Sequence, residues 1–127
     1  MGQQQLLLIV LGVIIVGIAV VVGINLFNAN ATNANRDAVV SDLNNLGAMA
    51  QQFYKKPTSM GGGGNTFTGW AIPTNLASNA NGTYSATVGA GAVSIEGTGV
   101  ENGNDNSTPV KCTAAVSPTA IIVTVNN

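Results

Sequence analysis

The sequence contains no histidine, one cysteine and few charges, with four Lys/Arg set against five Asp/Glu and only 7% of residues charged. Without histidine, the commonest general base and metal ligand near neutral pH is missing. The carboxylates of Asp37, Asp42, Glu96, Glu101 and Asp105 form no recognisable pair beside a nucleophile. No enzymatic activity, metal or cofactor is therefore expected. A lone cysteine excludes an intrachain disulfide. Cys112 falls within an expected strand and reads as a small buried apolar residue rather than a reactive thiol. The cations Arg36, Lys55, Lys56 and Lys111 are scattered. They form no patch that could neutralise a phosphate backbone or hold an anionic membrane surface, so no nucleic-acid partner is expected.

What the chain does have is a long apolar run. Leu6 to Ile24 carries no polar side chain, and Leu26 and Phe27 extend it. As a helix that run is about 29 Å long, close to the thickness of a bilayer core. Three readings compete. A cleaved secretory signal fits the small-x-small triplet Ala29-Asn30-Ala31, but the run is long for such a signal and no Lys or Arg precedes it. An ordinary single-pass anchor is the second. A helix that lies first in lipid and later inside a protein assembly is the third. Gly12, Gly17 and Gly23 would let neighbouring helices approach closely, although glycine is common in membrane helices generally.

Helical spacing continues past the run. Phe27, Ala31, Ala34 and Ala38 form one line, and Val39, Leu43, Leu46, Ala50 and Phe53 form a second. Lys55 and Lys56 suit the negative end of a helix dipole, and Pro57 stops the helix. One helix is expected from about residue 3 to residue 55, with a domain boundary after residue 27. Its first half is apolar all round and its second half on one face only. Gly61–Gly64 reads as a flexible loop, because Asn65 and Thr66 follow where a phosphate cradle needs Lys and Ser/Thr. Phe67, Trp70 and Ile72 are spaced to pack this loop on the core, and Pro73 to Ser78 suits a short helical turn. Four strands follow: Tyr84 to Val88, Val93 towards Val100, Val110 to Val116 and Ala120 to Val125. The expected fold is α+β, with the stripe Val39–Leu43–Leu46–Ala50–Phe53 covered by a four-stranded antiparallel sheet in a head spanning residues 28–127.

Three stretches carry a family resemblance: the start GQQQLLLIVLGVIIVGIAVVVGI, the continuation NANRDAVVSDLNNLGAMAQQFYKKP, and the end PVKCTAAVSPTAIIVTVNN. In layout the chain resembles a type IV pilin, and the likeness is specific only in the helix. It implies a subunit that begins in the inner (cytoplasmic) membrane and loses a short leader to a prepilin peptidase. With an inner-membrane assembly platform, the subunit then joins copies of itself in an extracellular helical filament. The filament-core residues it implies are Leu6, Leu7, Leu8, Leu11, Gly12, Ile15, Gly17, Val20, Gly23, Ile24 and Phe27. It also implies that the helix is unwound in the filament near Ile14 to Gly23. The glutamate usual at the fifth mature position is absent: Gln5 stands there, or Leu7 if cleavage follows Gly2. Gln3, Gln4 and Gln5 are the candidates to accept hydrogen bonds from a neighbour's N-terminal amine.

Two alternatives belong beside the pilin: a pseudopilin of a type II secretion system, and a single-pass anchored binding module. The anchored module would usually show a linker after its span and basic residues on the cytoplasmic side. Asn30, Asn81 and Asn106 head N-x-Ser/Thr triplets and are candidate glycosylation sites, although an asparagine-rich chain also collects such triplets by chance. Glu101, Asn104, Asp105 and Asn106 match no calcium-loop spacing and read as a solvated turn.

Overall fold

The structure, a computed structural model, describes residues 2–127. A helix, α1, covers Gly2–Lys55. The chain divides into a unit that ends at Ala31 and a unit Thr32–Asn127, a helical turn beyond the boundary expected after Phe27. In the first unit the helix runs without interruption through Ile14–Gly23, so the unwinding implied for the filament is absent from the single chain. Glycine costs a helix only about 1 kcal/mol relative to alanine. No proline interrupts the segment to remove a backbone donor.

In the second unit, residues 32–55 of α1 pack on an antiparallel sheet. Its strands are β1 (Ser78–Asn79), β2 (Gly82–Val88), β3 (Val93–Asn102), β4 (Pro109–Val116) and β5 (Ile121–Val125), in sequential order. The four expected strands all form, and β1 is the addition. It is two residues long, in register Ser78↔Thr83 and Asn79↔Gly82. Two polar residues leave no period-2 signal, and serine and asparagine are poor strand formers. The chain before it makes the turn expected at Pro73, where Leu76 N–H and Ala77 N–H donate to the Pro73 carbonyl.

Side-chain alternation puts one face of the sheet against the helix. In β3 and β4 the pairs Val93↔Val116, Ile95↔Ala114 and Gly97↔Cys112 face inward and are buried. From the helix, Val39, Leu43, Leu46 and Ala50 are buried against them, and Phe53 is partly buried at the margin. The alanine line does not join this seam: Ala34 and Phe27 are exposed. The buried line instead continues backwards from Val39 to Asn35.

The four glycines form a helix cap rather than a flexible loop. Gly63 N–H donates to Phe53 O at 2.8 Å, Gly64 N–H to Lys56 O at 2.9 Å and Asn65 N–H to Tyr54 O at 2.8 Å. These satisfy carbonyls that a helix end leaves without partners. The wrap is tight: a Cβ on Gly63 would collide with the Thr66 carbonyl and stand 2.9 Å from the Phe53 ring. The loop then buries Phe67 and Trp70, with Tyr54 and Phe67 ring centroids 4.8 Å apart.

Leu43→Ala removes a fully buried side chain and should cost about 2–5 kcal/mol. Leu11→Ala, at an exposed position, should leave the stability of the detergent-solubilised monomer nearly unchanged. Denaturant unfolding of both variants checks this, and equal losses would contradict the assignment of the core.

Candidate functional site

Two features stand out: an apolar helical segment with nothing over it, and a polar clasp in the second unit. The apolar segment is the larger. Among its large side chains, exposure ranges from 51% at Val22 to 76% at Phe27. An 18-residue window of α1 has mean hydropathy 3.3 and none of it is buried. This helix is long and apolar enough to cross a membrane.

The residues expected to pack in a filament core all lie here. Leu6, Leu7, Leu8, Leu11, Ile15, Val20 and Ile24 are exposed, as are Gly12 and Gly17, and Gly23 is half-buried. A Cβ on any of the three glycines would meet nothing within 4 Å. Gln3, Gln4 and Gln5 are exposed, and the first turn of the helix contains no acid. Their amide oxygens are the side-chain acceptors that this turn offers.

The clasp was not anticipated from the sequence. Asn35 is buried. Its Oδ1 accepts from Val100 N–H at 3.1 Å and Glu101 N–H at 3.2 Å, and its Nδ2 donates to Asn81 O at 2.8 Å. Gly99 makes room for it, since a Cβ there would collide with Asn35 Oδ1. Register in β3 shifts between Thr98 and Asn102 at this point, and that shift frees the two N–H groups Asn35 captures. The available signal was a polar residue four positions before Val39 on the apolar stripe.

Two turns along, Asp42 Oδ2 accepts from Tyr84 Oη at 2.5 Å, Asn81 Nδ2 at 3.1 Å and Asn79 Nδ2 at 3.2 Å. Burial works to raise the Asp42 pKa. The hydrogen bonds from Tyr84, Asn81 and Asn79 outweigh it and hold the carboxyl below its usual range. Burial, reinforced by Asp42, pushes the Tyr84 phenol above its ordinary value. Tyr84 thus stays a donor and Asp42 an acceptor across the working pH range.

The remaining candidates divide. Asn81 has its amide engaged with Asp42. Asn30 and Asn106 are exposed, and Asn106 sits in a turn at φ 56°. In that turn Asp105 accepts from Ser107 N–H and Thr108 N–H, each at 3.0 Å, and from Thr108 Oγ1 at 2.5 Å. Those bonds, the Thr108 hydroxyl first, hold the Asp105 carboxyl low, and they spend it on the turn rather than on a ligand. Asn104 Oδ1 accepts from Arg36 Nη2 at 2.8 Å. Cys112 is buried, and burial pushes its thiol pKa up.

Compared with protein-family models, with curated proteins and with solved structures, the chain finds no match. The layout, a long apolar N-terminal helix whose later part packs on an antiparallel sheet, is loosely pilin-like.

Asp42 has a pKa lowered on folding, so its stabilisation is present above the unfolded carboxylate value and is lost as pH falls through the folded one. Asp42→Asn should therefore cost about 1–3 kcal/mol at neutral pH, and the gap from the unsubstituted chain should close on acidification. Melting temperatures of both proteins from neutral to strongly acidic pH check this. A gap of constant size would contradict it.

Proposed function

We propose that this chain is the structural subunit of an extracellular pilus-like filament, held in a membrane before assembly and polymerising through Leu6 to Phe27. The observation that carries the reading is the exposure of this whole apolar segment, on a helix with no charged residue before Arg36. Such a rod needs lipid or other helices around it. The low charge of the chain supports close packing of copies, since few charges would be stranded between them. The helix also passes from the apolar run into the head without a linker, as a subunit of this kind requires and an anchored module does not.

The mechanism is an exchange of partners. Lipid already shelters apolar side chains, so moving them from lipid to protein gains little hydrophobic free energy. The gain has to come from close helix–helix packing and from contacts between heads. Gln3, Gln4 and Gln5 would take the role of the missing acid by accepting from the N-terminal amine of an adjacent copy.

Shearing the surface fraction from cells, imaging it by negative-stain electron microscopy and sequencing its N-terminal peptide by mass spectrometry tests the reading. Thin fibres built of this chain are expected. A chain confined to detergent-soluble membrane would contradict the filament and favour an anchored module or a pseudopilin. Within the filament reading, Gly12→Leu and Gly17→Leu should reduce fibre yield while leaving membrane insertion intact, because a side chain at either site meets nothing in the single chain. Normal fibre yield from both variants would count against close packing at these glycines.

A further inference from the structure

The side of residues 37–55 turned away from the sheet has an order of its own. At 100° per residue, Val39, Leu43, Leu46 and Ala50 gather on one side of the helix, and Asp37, Ser41, Asn44, Ala48 and Lys55 gather opposite them. All five of the latter are exposed. Asp37 and Lys55 are separated by five full turns, so they share one azimuth about 27 Å apart. Between them this face carries no charge.

Among the described residues neither group has an ionic partner. The one ion pair among the described residues joins Lys111 Nζ to Glu96 Oε1 at 3.4 Å on the sheet. Asp37 and Lys55 cannot serve each other, because their separation exceeds the screening length of about 8 Å at physiological salt. Each end carries further charges. Lys56 follows Lys55. Glu101 lies at the Asp37 end, since its N–H donates to Asn35 Oδ1. The guanidinium of Arg36 is turned to Asn33 Oδ1 at 3.2 Å and Asn104 Oδ1 at 2.8 Å.

We propose that this face docks a second copy of the chain in the same orientation, displaced along the helix axis by five turns, so that Lys55 of one copy meets Asp37 of the next. Charge complementarity selects the occupant: another copy carries the opposite sign on the required azimuth at each end. The parallel sense rests on the filament reading, because copies drawn from one membrane share an orientation. Each head then has one acidic and one basic end, and the contact repeats without closing. An antiparallel pair would satisfy both ends at once and stop at a dimer.

The test treats sheared filaments of the unsubstituted chain with a zero-length carbodiimide, which joins an amine to a carboxylate already in contact, and identifies the Lys55–Asp37 isopeptide between copies by mass spectrometry. A ladder of cross-linked oligomers on a denaturing gel is expected. Dimers alone would overturn the parallel stagger, and intact fibres with no cross-link would overturn the contact while leaving the filament reading standing. Fibres absent from the unsubstituted chain would remove both. In parallel, Lys55→Asp should weaken the subunit contact about two- to fivefold, and Lys55→Asp combined with Asp37→Lys should restore it. Failure of the double exchange to restore yield, with the heads folded by circular dichroism, would overturn the pairing.

Discussion

Between Leu6 and Phe27 the helix closes its own backbone hydrogen bonds but leaves its side chains exposed. The role proposed for the chain depends on that imbalance. Water is a poor surrounding for so much apolar surface, since each exposed Leu, Ile or Val forgoes about 1.5–3 kcal/mol of burial. Lipid resolves the imbalance, and so do other copies of the same helix. The choice between them turns on packing, for which the segment carries glycines with open space around them.

The second unit solves its own packing in a different way. A helix stripe and a sheet face would bury apolar area in several registers, since apolar contact is non-directional. The Asn35 and Asp42 contacts are directional. Asn35 is satisfied only where β3 shifts register and Gly99 leaves a gap, and Asp42 only where Tyr84, Asn79 and Asn81 converge. A buried polar group without partners costs about 1–3 kcal/mol, so slippage of the helix along the sheet is disfavoured by both. The glycine cap then fixes the helix end, and its loop carries Phe67 and Trp70 into the core.

Period and punctuation made much of this readable before the structure. The helix stops at Lys55, just ahead of Pro57, as proline's steric demands require. The two long hairpins fall where alternating residues are interrupted by glycine or proline turns. Features that rest on single residues were less readable. β1 is two polar residues recruited by pairing with β2. The tetraglycine run read as slack, but its glycines let the backbone wrap the helix end. Asn35 and Asp42 have partners that only the fold brings from 37 or more positions away. The exposed run, by contrast, was legible as a candidate assembly segment because nothing but its own composition defines it.

The most direct measurement is the surroundings of that run in two states. A nitroxide attached at Val16→Cys, with the chain first in membranes and then in sheared surface fibres, reports them by electron paramagnetic resonance. The account predicts a lipid-accessible spin, relaxed by dissolved oxygen, in the membrane state. In the fibre it predicts loss of that relaxation together with dipolar broadening from labels on neighbouring copies. A label that stays lipid- or water-accessible in both fractions, without broadening, would contradict the claim that copies of this helix replace lipid as its partner.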